Sequence, residues 1–256
     1  MNAGSLLLQK SLASFPGLET KVVLNGWPTD PAAFDHLAAV VFYCDGGPNH
    51  LLLKEDRLKA LGKLVASGVG LGLLHYACEP TPGKGQAEFL SWVGGAFEPF
   101  WSVNPMWEPD FLPLPEHPVS RGVGPIRLLD EWYCHLRFNR SEGRITSLLV
   151  AVPNAETLKR ADGIRSGNPA FRAAAANKEP LAISWAYERP GGGRGFVFAG
   201  GHFHRNWGND DYRKLVLNAF VWLAGLDVPG GGVSSVVSET ELAANLDHKP
   251  AAPKAK

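Results

Sequence analysis

Apolar positions alternate along the chain between continuous runs and helical stripes. Leu6, Leu7 and Leu8, within residues 3–13, predict a short amphipathic helix. "TKVVLNGWP" reads as a strand ended by Gly26 and Pro28. "LAAVVFYCDGG" (37–47) is an unbroken apolar run closing on Asp45-Gly46-Gly47, the pattern of a strand buried on both faces of a parallel sheet. "HLLLKEDRLKALGKLVASG" (50–68) places Leu53, Leu58, Leu61, Leu64 and Val65 on one helical face, with Gly68 as its C-terminal stop. "VGLGLLHYACEP" then predicts another buried strand. Strand–helix–strand alternation of this kind implies right-handed βαβ units.

The middle is less regular. "FEPFWSVNPMWEPDFLPLPEHP" holds too much proline for a central element. "DEWYCHLRF" (130–138) and "SLLVAVP" (147–153) read as strands, and "RADGIRSGNPAFRAAAANKEP" as a long loop. Regular pattern returns with "LAISWAYE", a glycine-rich hairpin turn "RPGGGRG", and "FVFAGG". Residues 210–225 carry Tyr212, Leu215, Val216, Ala219, Phe220 and Leu223 at helical spacing, with Asp210 or Asp211 as N-cap. These patterns predict one α/β domain over residues 1–229 and a disordered tail over 230–256, where composition shifts to Gly, Ser, Ala, Lys and Pro.

Composition narrows the partners. With 25 basic and 25 acidic residues, no global field favours nucleic acid or an anionic membrane. No apolar run approaches the ~20 residues that span a bilayer, and the N-terminus lacks a signal-peptide pattern. Three widely spaced cysteines, Cys44, Cys78 and Cys134, form neither a disulfide framework nor a thiolate metal site. A reduced, cytoplasmic protein is the expectation.

In an open α/β sheet, ligands bind beyond the carboxyl ends of the strands. Asp45, His75 and the pair His202 and His204 follow three such ends. A nucleophile elbow would need Ser or Cys where this chain has His75, and Cys78 lies off that apex, so a cysteine hydrolase is disfavoured. Histidine there suits acid–base work or metal ligation. On a strand, "HFH" would turn both imidazoles to one side, making His202 and His204 a candidate ligand pair for zinc or a similar divalent metal, with His75, Asp45 or Glu79 completing the set. The competing reading has one histidine facing the site and the other capping a turn, with Trp207 packed over it.

In "DEWYCHLRF", strand alternation puts Glu131, Tyr133, His135 and Arg137 on one face. That stripe reads either as the lining of a carbohydrate pocket or as the solvent side of an antiparallel strand. Glu131 joins His75 and His202 as a candidate catalytic residue. Asp45, Tyr133, His135, Arg137 and Trp207 are the candidate substrate contacts. The glycine runs are not phosphate loops.

The segments "NGWP", "FYCDGG", "GVGLGLLHYACE", "SVNPMW", "HPVSRGV", "DEWYCHLRF", "ISWAYER", "GRGFVFAGGHFHRNW" and "RKLVLNAFVWLAG", in this order over about residues 1–230, resemble the ThuA-like (trehalose-utilisation) family. The resemblance implies a flavodoxin-like α/β fold related to class I glutamine amidotransferases, with a parallel sheet and helices on both faces. His75 then stands where amidotransferases carry their nucleophilic cysteine, and His202 near their catalytic histidine, so amidotransferase chemistry is not available. The family's association implies a role with trehalose-type sugars or 3-keto-glycosides, by isomerisation, lysis or hydrolysis, and metal binding in some members. In such chemistry His75 or His202 would be the base, and a metal or Arg137 the electrophile. A non-catalytic carbohydrate-binding or regulatory module on the same scaffold is the alternative. A small sugar is the implied partner, with homo-oligomerisation left open.

One departure stands out. The family normally opens with a strand and a loop of the type Ser-His-Gly-x-Gly-x-His-Glu, whereas Met1 here directly precedes Asn2-Ala3-Gly4. A start codon assigned too late is the expectation, because loss of a central strand would leave its neighbours' edges unpaired.

Overall fold

The structure, a computed structural model, describes residues 1–247. Its elements in order are α1 (Asn2–Leu12), β1 (Ala39–Phe42), α2 (Arg57–Ala66), β2 (Gly70–Leu74), α3 (Gln86–Trp92), β3 (Gly95–Ala96), β4 (Met106–Trp107), β5 (Asp130–Glu131), β6 (Arg137–Phe138), β7 (Arg144–Ala151), α4 (Pro169–Ala176), β8 (Leu181–Glu188), β9 (Arg194–Phe198), α5 (Asp210–Leu223) and α6 (Glu239–Leu242). Among the described residues, no helix is long and apolar enough to cross a membrane.

Five strands form the central sheet in the order β1-β2-β9-β8-β7. β1, β2 and β9 run parallel, while β8 and β7 add antiparallel. The sheet is therefore mixed rather than wholly parallel. The glycine-rich turn after β8 explains the difference, because a tight turn can join only antiparallel strands. Within the sheet β1 pairs with β2 and β2 with β9.

Period-two alternation sends successive side chains to opposite faces. Gly70 and Gly72 of β2 face α5: a Cβ on Gly70 would stand 2.3 Å from the carbonyl oxygen of Leu223. These two positions admit the helix close to the sheet. On the other face the chain around α3 covers β9 and β8, with Trp185 Nε1 donating to the Val93 carbonyl at 2.6 Å. Leu71, Leu73, Phe196, Val197 and Phe198 are fully buried between these layers. α1 packs on α5. α2 ends in a Schellman motif, with Gly68 in the left-handed region (φ 95) and Val69 donating back to Leu64.

Several expectations are corrected. "TKVVL" (20–24) is an exposed extended segment outside any sheet. β1 is only partly buried, because it is an edge strand. The stretch 50–68 is helical from Arg57 only, preceded by short 3-10 turns. The expected loop 160–180 contains α4, capped by Asn168, whose side chain accepts from the Phe171 N–H. "DEWYCHLRF" is not one strand but β5 and β6 with irregular chain between them. The N-cap of α5 is Asn209, with Asp210 and Asp211 in its first turn.

The expected tail divides. Residues 248–256 lie outside the described residues. Residues 230–247, by contrast, run back over α5: Val233 is buried and donates to Asn218 Oδ1 at 2.7 Å. The fully buried Arg213 donates from Nε to Ser235 Oγ at 2.8 Å. α6 begins with a capping box between Ser238 and Glu241. Val233 joins the core and Val237 and Leu242 pack against it, so apolar contacts and polar partners on α5 together hold this stretch.

Candidate functional site

β2 and β9 are parallel neighbours, so the residues leaving their carboxyl ends share one rim although they lie far apart in sequence. His75 follows Leu74 directly and has φ 53, a left-handed conformation that is strained for a residue with a Cβ. The sharp turn lifts its imidazole over the end of β9. Its Nδ1 lies 3.2 Å from the Ala199 carbonyl, which can only accept, so Nδ1 carries a proton, and in the neutral ring Nε2 presents a lone pair. His202 follows the two glycines after Ala199, and its Nδ1 stands 3.3 Å from His75 Nε2.

Glu131 arrives from β5. Its Oε2 lies 3.3 Å from His75 Nε2 and 3.2 Å from His202 Nδ1. The preceding residue, Asp130, is fully buried and points the opposite way. Its Oδ1 accepts from the backbone N–H groups of Glu131, His202 and Phe203, and its Oδ2 from Gly201 N–H and the Tyr212 hydroxyl, the last at 2.6 Å. One carboxylate thus ties the β5 strand to the His202 turn and sets Glu131 against His202. Burial of Tyr212 and the nearby Asp130 charge raise the phenol's pKa well above its ordinary value, so it stays a donor.

His75 and Glu131 side chains are 8% and 14% exposed, whereas His202 is 39% exposed, so the cluster opens to solvent on the His202 side. Three donor atoms separated by 3.2–3.3 Å match the spacing of roughly 3.3–3.6 Å between ligands of a tetrahedral zinc-type ion. The chemistry of the set fits as well. A lone pair on His75 Nε2 facing a carboxylate oxygen is favourable only with a proton or a cation between them. The Ala199 carbonyl on the far side of His75 orients the ring as second-layer partners of metal-bound histidines do. Tyr133 closes the buried side, its hydroxyl 3.5 Å from His75 Nε2, and burial together with Glu131 raises its pKa so that it remains protonated.

The other sequence candidates are distributed around this centre or away from it. His204 is not a member: the chain enters a 3-10 helix there, alternation fails, and Nε2 lies 2.8 Å from the Leu242 carbonyl. Trp207 is fully buried against Tyr43, Phe198 and Tyr212 and is a core residue rather than a substrate contact. His135, at φ 55, breaks the expected stripe, stacks on Trp101 and bonds its carbonyl at 2.9 Å. Arg137 makes a two-pronged pair with Glu98, at 2.9 and 2.8 Å. Asp45 is exposed at the rim, beside Gly46 and close enough to Tyr76 to raise its pKa. Glu79 is buried and held by Arg165 Nε at 2.8 Å, so it is committed to that ion pair. Cys78 is fully buried, and burial pushes its thiol far above the ordinary range, which removes it as a nucleophile.

Two residues at the site are not singled out as candidates by the sequence: Asp130, the hub just described, and Asn104, whose Nδ2 donates to Glu131 Oε1 at 3.0 Å. Asp130 was legible only as the buried member of an alternating pair. Asn104 lies before a proline in the proline-rich stretch, where nothing distinguishes it from a turn residue.

Comparison with known proteins identifies the family and the fold. The family model described as ThuA: Trehalose utilisation matches residues 11–223. A ThuA-like protein from Bacteroides uniformis superposes with a TM-score of 0.59 at 17% identity, covering 89% of this chain and 88% of its own. A second, from Parabacteroides merdae, gives 0.57 at 15% identity, covering 89% and 87%. At these identities the likeness establishes the fold. The comparison with curated proteins gives no match.

Proposed function

The chain belongs to the ThuA (trehalose utilisation) family, and from that premise we propose that it is a cation-dependent enzyme converting a small sugar, a disaccharide or its 3-keto form. The observation that carries this reading is the convergence of His75 Nε2, His202 Nδ1 and Glu131 Oε2 within 3.3 Å of one another at the strand ends. His75, Glu131 and His202 would hold a divalent cation, whose contribution when bound is Lewis-acid polarisation of a sugar oxygen.

The remaining roles belong to the chain's own groups. Tyr133, kept protonated, donates to an oxygen that enters beside His75. The half-exposed imidazole of His202 marks the open side by which the sugar arrives. Asp45 and the Tyr76 hydroxyl, which lies 3.3 Å from Arg165 Nη2, offer polar contacts to sugar hydroxyls on the rim. The imidazole at the turn and the buried Cys78 thiol argue against amidotransferase chemistry.

The test combines elemental analysis with a turnover screen on disaccharides and 3-keto-disaccharides, using wild type, His75→Ala and His202→Ala. About one divalent ion per chain, lost in His75→Ala together with turnover, is the expected result. Substoichiometric metal, with sugar binding unchanged in both variants, would instead establish a non-catalytic sugar-binding module.

A further inference from the structure

Glu131 contributes one oxygen, Oε2, to both histidines. Its other oxygen, Oε1, accepts from Asn104 Nδ2 at 3.0 Å. Asn104 is in turn gripped by the chain between Arg160 and Arg165. Arg160 Nη1 donates to Asn104 Oδ1 at 2.9 Å and to its backbone carbonyl at 3.0 Å, and the Asn104 N–H donates to the Arg165 carbonyl at 2.9 Å. A guanidinium on one side requires the amide oxygen there, and a carboxylate on the other requires the amide nitrogen, so the carboxamide has one orientation only.

We propose that Asn104 is a positioning residue that turns Glu131 so that Oε2 alone faces the two imidazoles, with Arg160 locking the amide. The inference rests on the reading of His75, Glu131 and His202 as a cation-holding set. Chemistry accounts for an amide in this place. A direct arginine would pair with the carboxylate and neutralise the charge the site uses, as Arg137 does with Glu98, whose carboxyl it lowers below the ordinary range. A neutral amide fixes one oxygen and leaves the charge available on the other.

The same stretch spans the cluster. Arg165 reaches across to Glu79, four residues beyond His75, and to the Tyr76 hydroxyl. The segment 160–165 therefore holds both the strand end that carries His75 and, through Asn104, the carboxylate opposite it.

The experiment titrates metal-free protein with Co²⁺ and records the visible ligand-field bands, for wild type, Asn104→Ala, Arg160→Ala and His75→Ala. Loss of an outer partner of a metal ligand costs about 10–100-fold in affinity. Asn104→Ala should show a loss of that size with altered band intensity, and Arg160→Ala a smaller loss in the same direction. His75→Ala should abolish the bands. Wild-type affinity and spectrum in Asn104→Ala overturn the positioning role while leaving the cation reading intact. Absence of Co²⁺ bands in wild type, or bands unchanged in His75→Ala, overturns the cation reading. A thermal-unfolding cycle on the metal-free protein, pairing Asn104→Ala with Glu131→Ala, then decides the contact by itself: non-additive shifts support it, and additive shifts overturn it.

Discussion

The backbone N–H of His202 donates to the carboxylate of Asp130 at 3.1 Å, so the residue beside Glu131 in the chain fixes where the second histidine begins. Placement of the site and stability of the fold meet in one buried side chain. Asp130→Asn turns an amide N–H toward a group that can only donate and removes at least one of the accepted bonds. We expect a loss of about 3 kcal/mol in urea denaturation. A loss below about 1 kcal/mol would mean that these bonds contribute little to stability.

The left-handed turn at His75 gives a second prediction. Alanine and glycine both remove the imidazole, but only glycine relieves φ 53. His75→Gly should therefore be more stable than His75→Ala by about 1 kcal/mol. Equal stabilities by chemical denaturation would show that the turn stores no strain.

Thiol reactivity separates the cysteines. Cys78 and Cys134 are fully buried with pKa values raised by burial, while Cys44 is partly exposed and its thiol is pushed up to about 11. Iodoacetamide on the native protein at neutral pH should label Cys44 first and leave Cys78 unmodified until unfolding, as read by mass spectrometry. Sugar turnover should survive this treatment; its loss on labelling of Cys78 would restore a thiol mechanism.

His117 predicts an acid-side stability change. It is buried against Trp222, its Nδ1 accepts from the Val119 N–H, and burial lowers its pKa from 6.5 to about 4. Between these values the unfolded chain binds more protons than the folded one, so stability rises with pH through that window and is lost as pH falls through it. His50 and His135 are lowered in the same direction by burial and contribute to the same slope. His117→Gln should flatten the stability profile between pH 4 and 6.5 relative to wild type. An unchanged slope in urea melts across that range would remove His117 from the account.

Much of the frame was legible from periodicity because the relevant patterns are local. β2 is an apolar run bounded by Gly68 and His75, and α5 repeats its apolar residues at helical spacing over its whole length. His75 and His202 were legible as residues just past strand ends, which the parallel pairing of β2 and β9 then brings together. Glu131 needed the alternation of Asp130 and Glu131, which holds over that pair. The same alternation misassigned His135, because its left-handed backbone ends the stripe, and His204, because a 3-10 helix starts there. α4 was hidden by the Gly- and Asn-rich chain before it, although Asn168 is a good cap. Asn104 could not be read at all, since its significance comes from four long-range bonds to Glu131, Arg160 and Arg165 that no local spacing encodes.

β2 and β9 lie side by side, yet between them the chain first leaves the central sheet and then returns through β7 and β8 before it reaches β9. Residues 75–143 form an insert that hangs from the end of β2 and carries α3 and the short strands β3 to β6. The imidazole spacing is set by the strands, while the third donor and the walls of the site come from the insert. Because Asp130 of the insert holds the His202 turn, the insert can change length or sequence without moving the histidines only where Asp130 and Glu131 keep their places. Two adjacent residues of β5 are thus the fixed point of an otherwise exchangeable wall, one holding the backbone of the site and the other facing its centre.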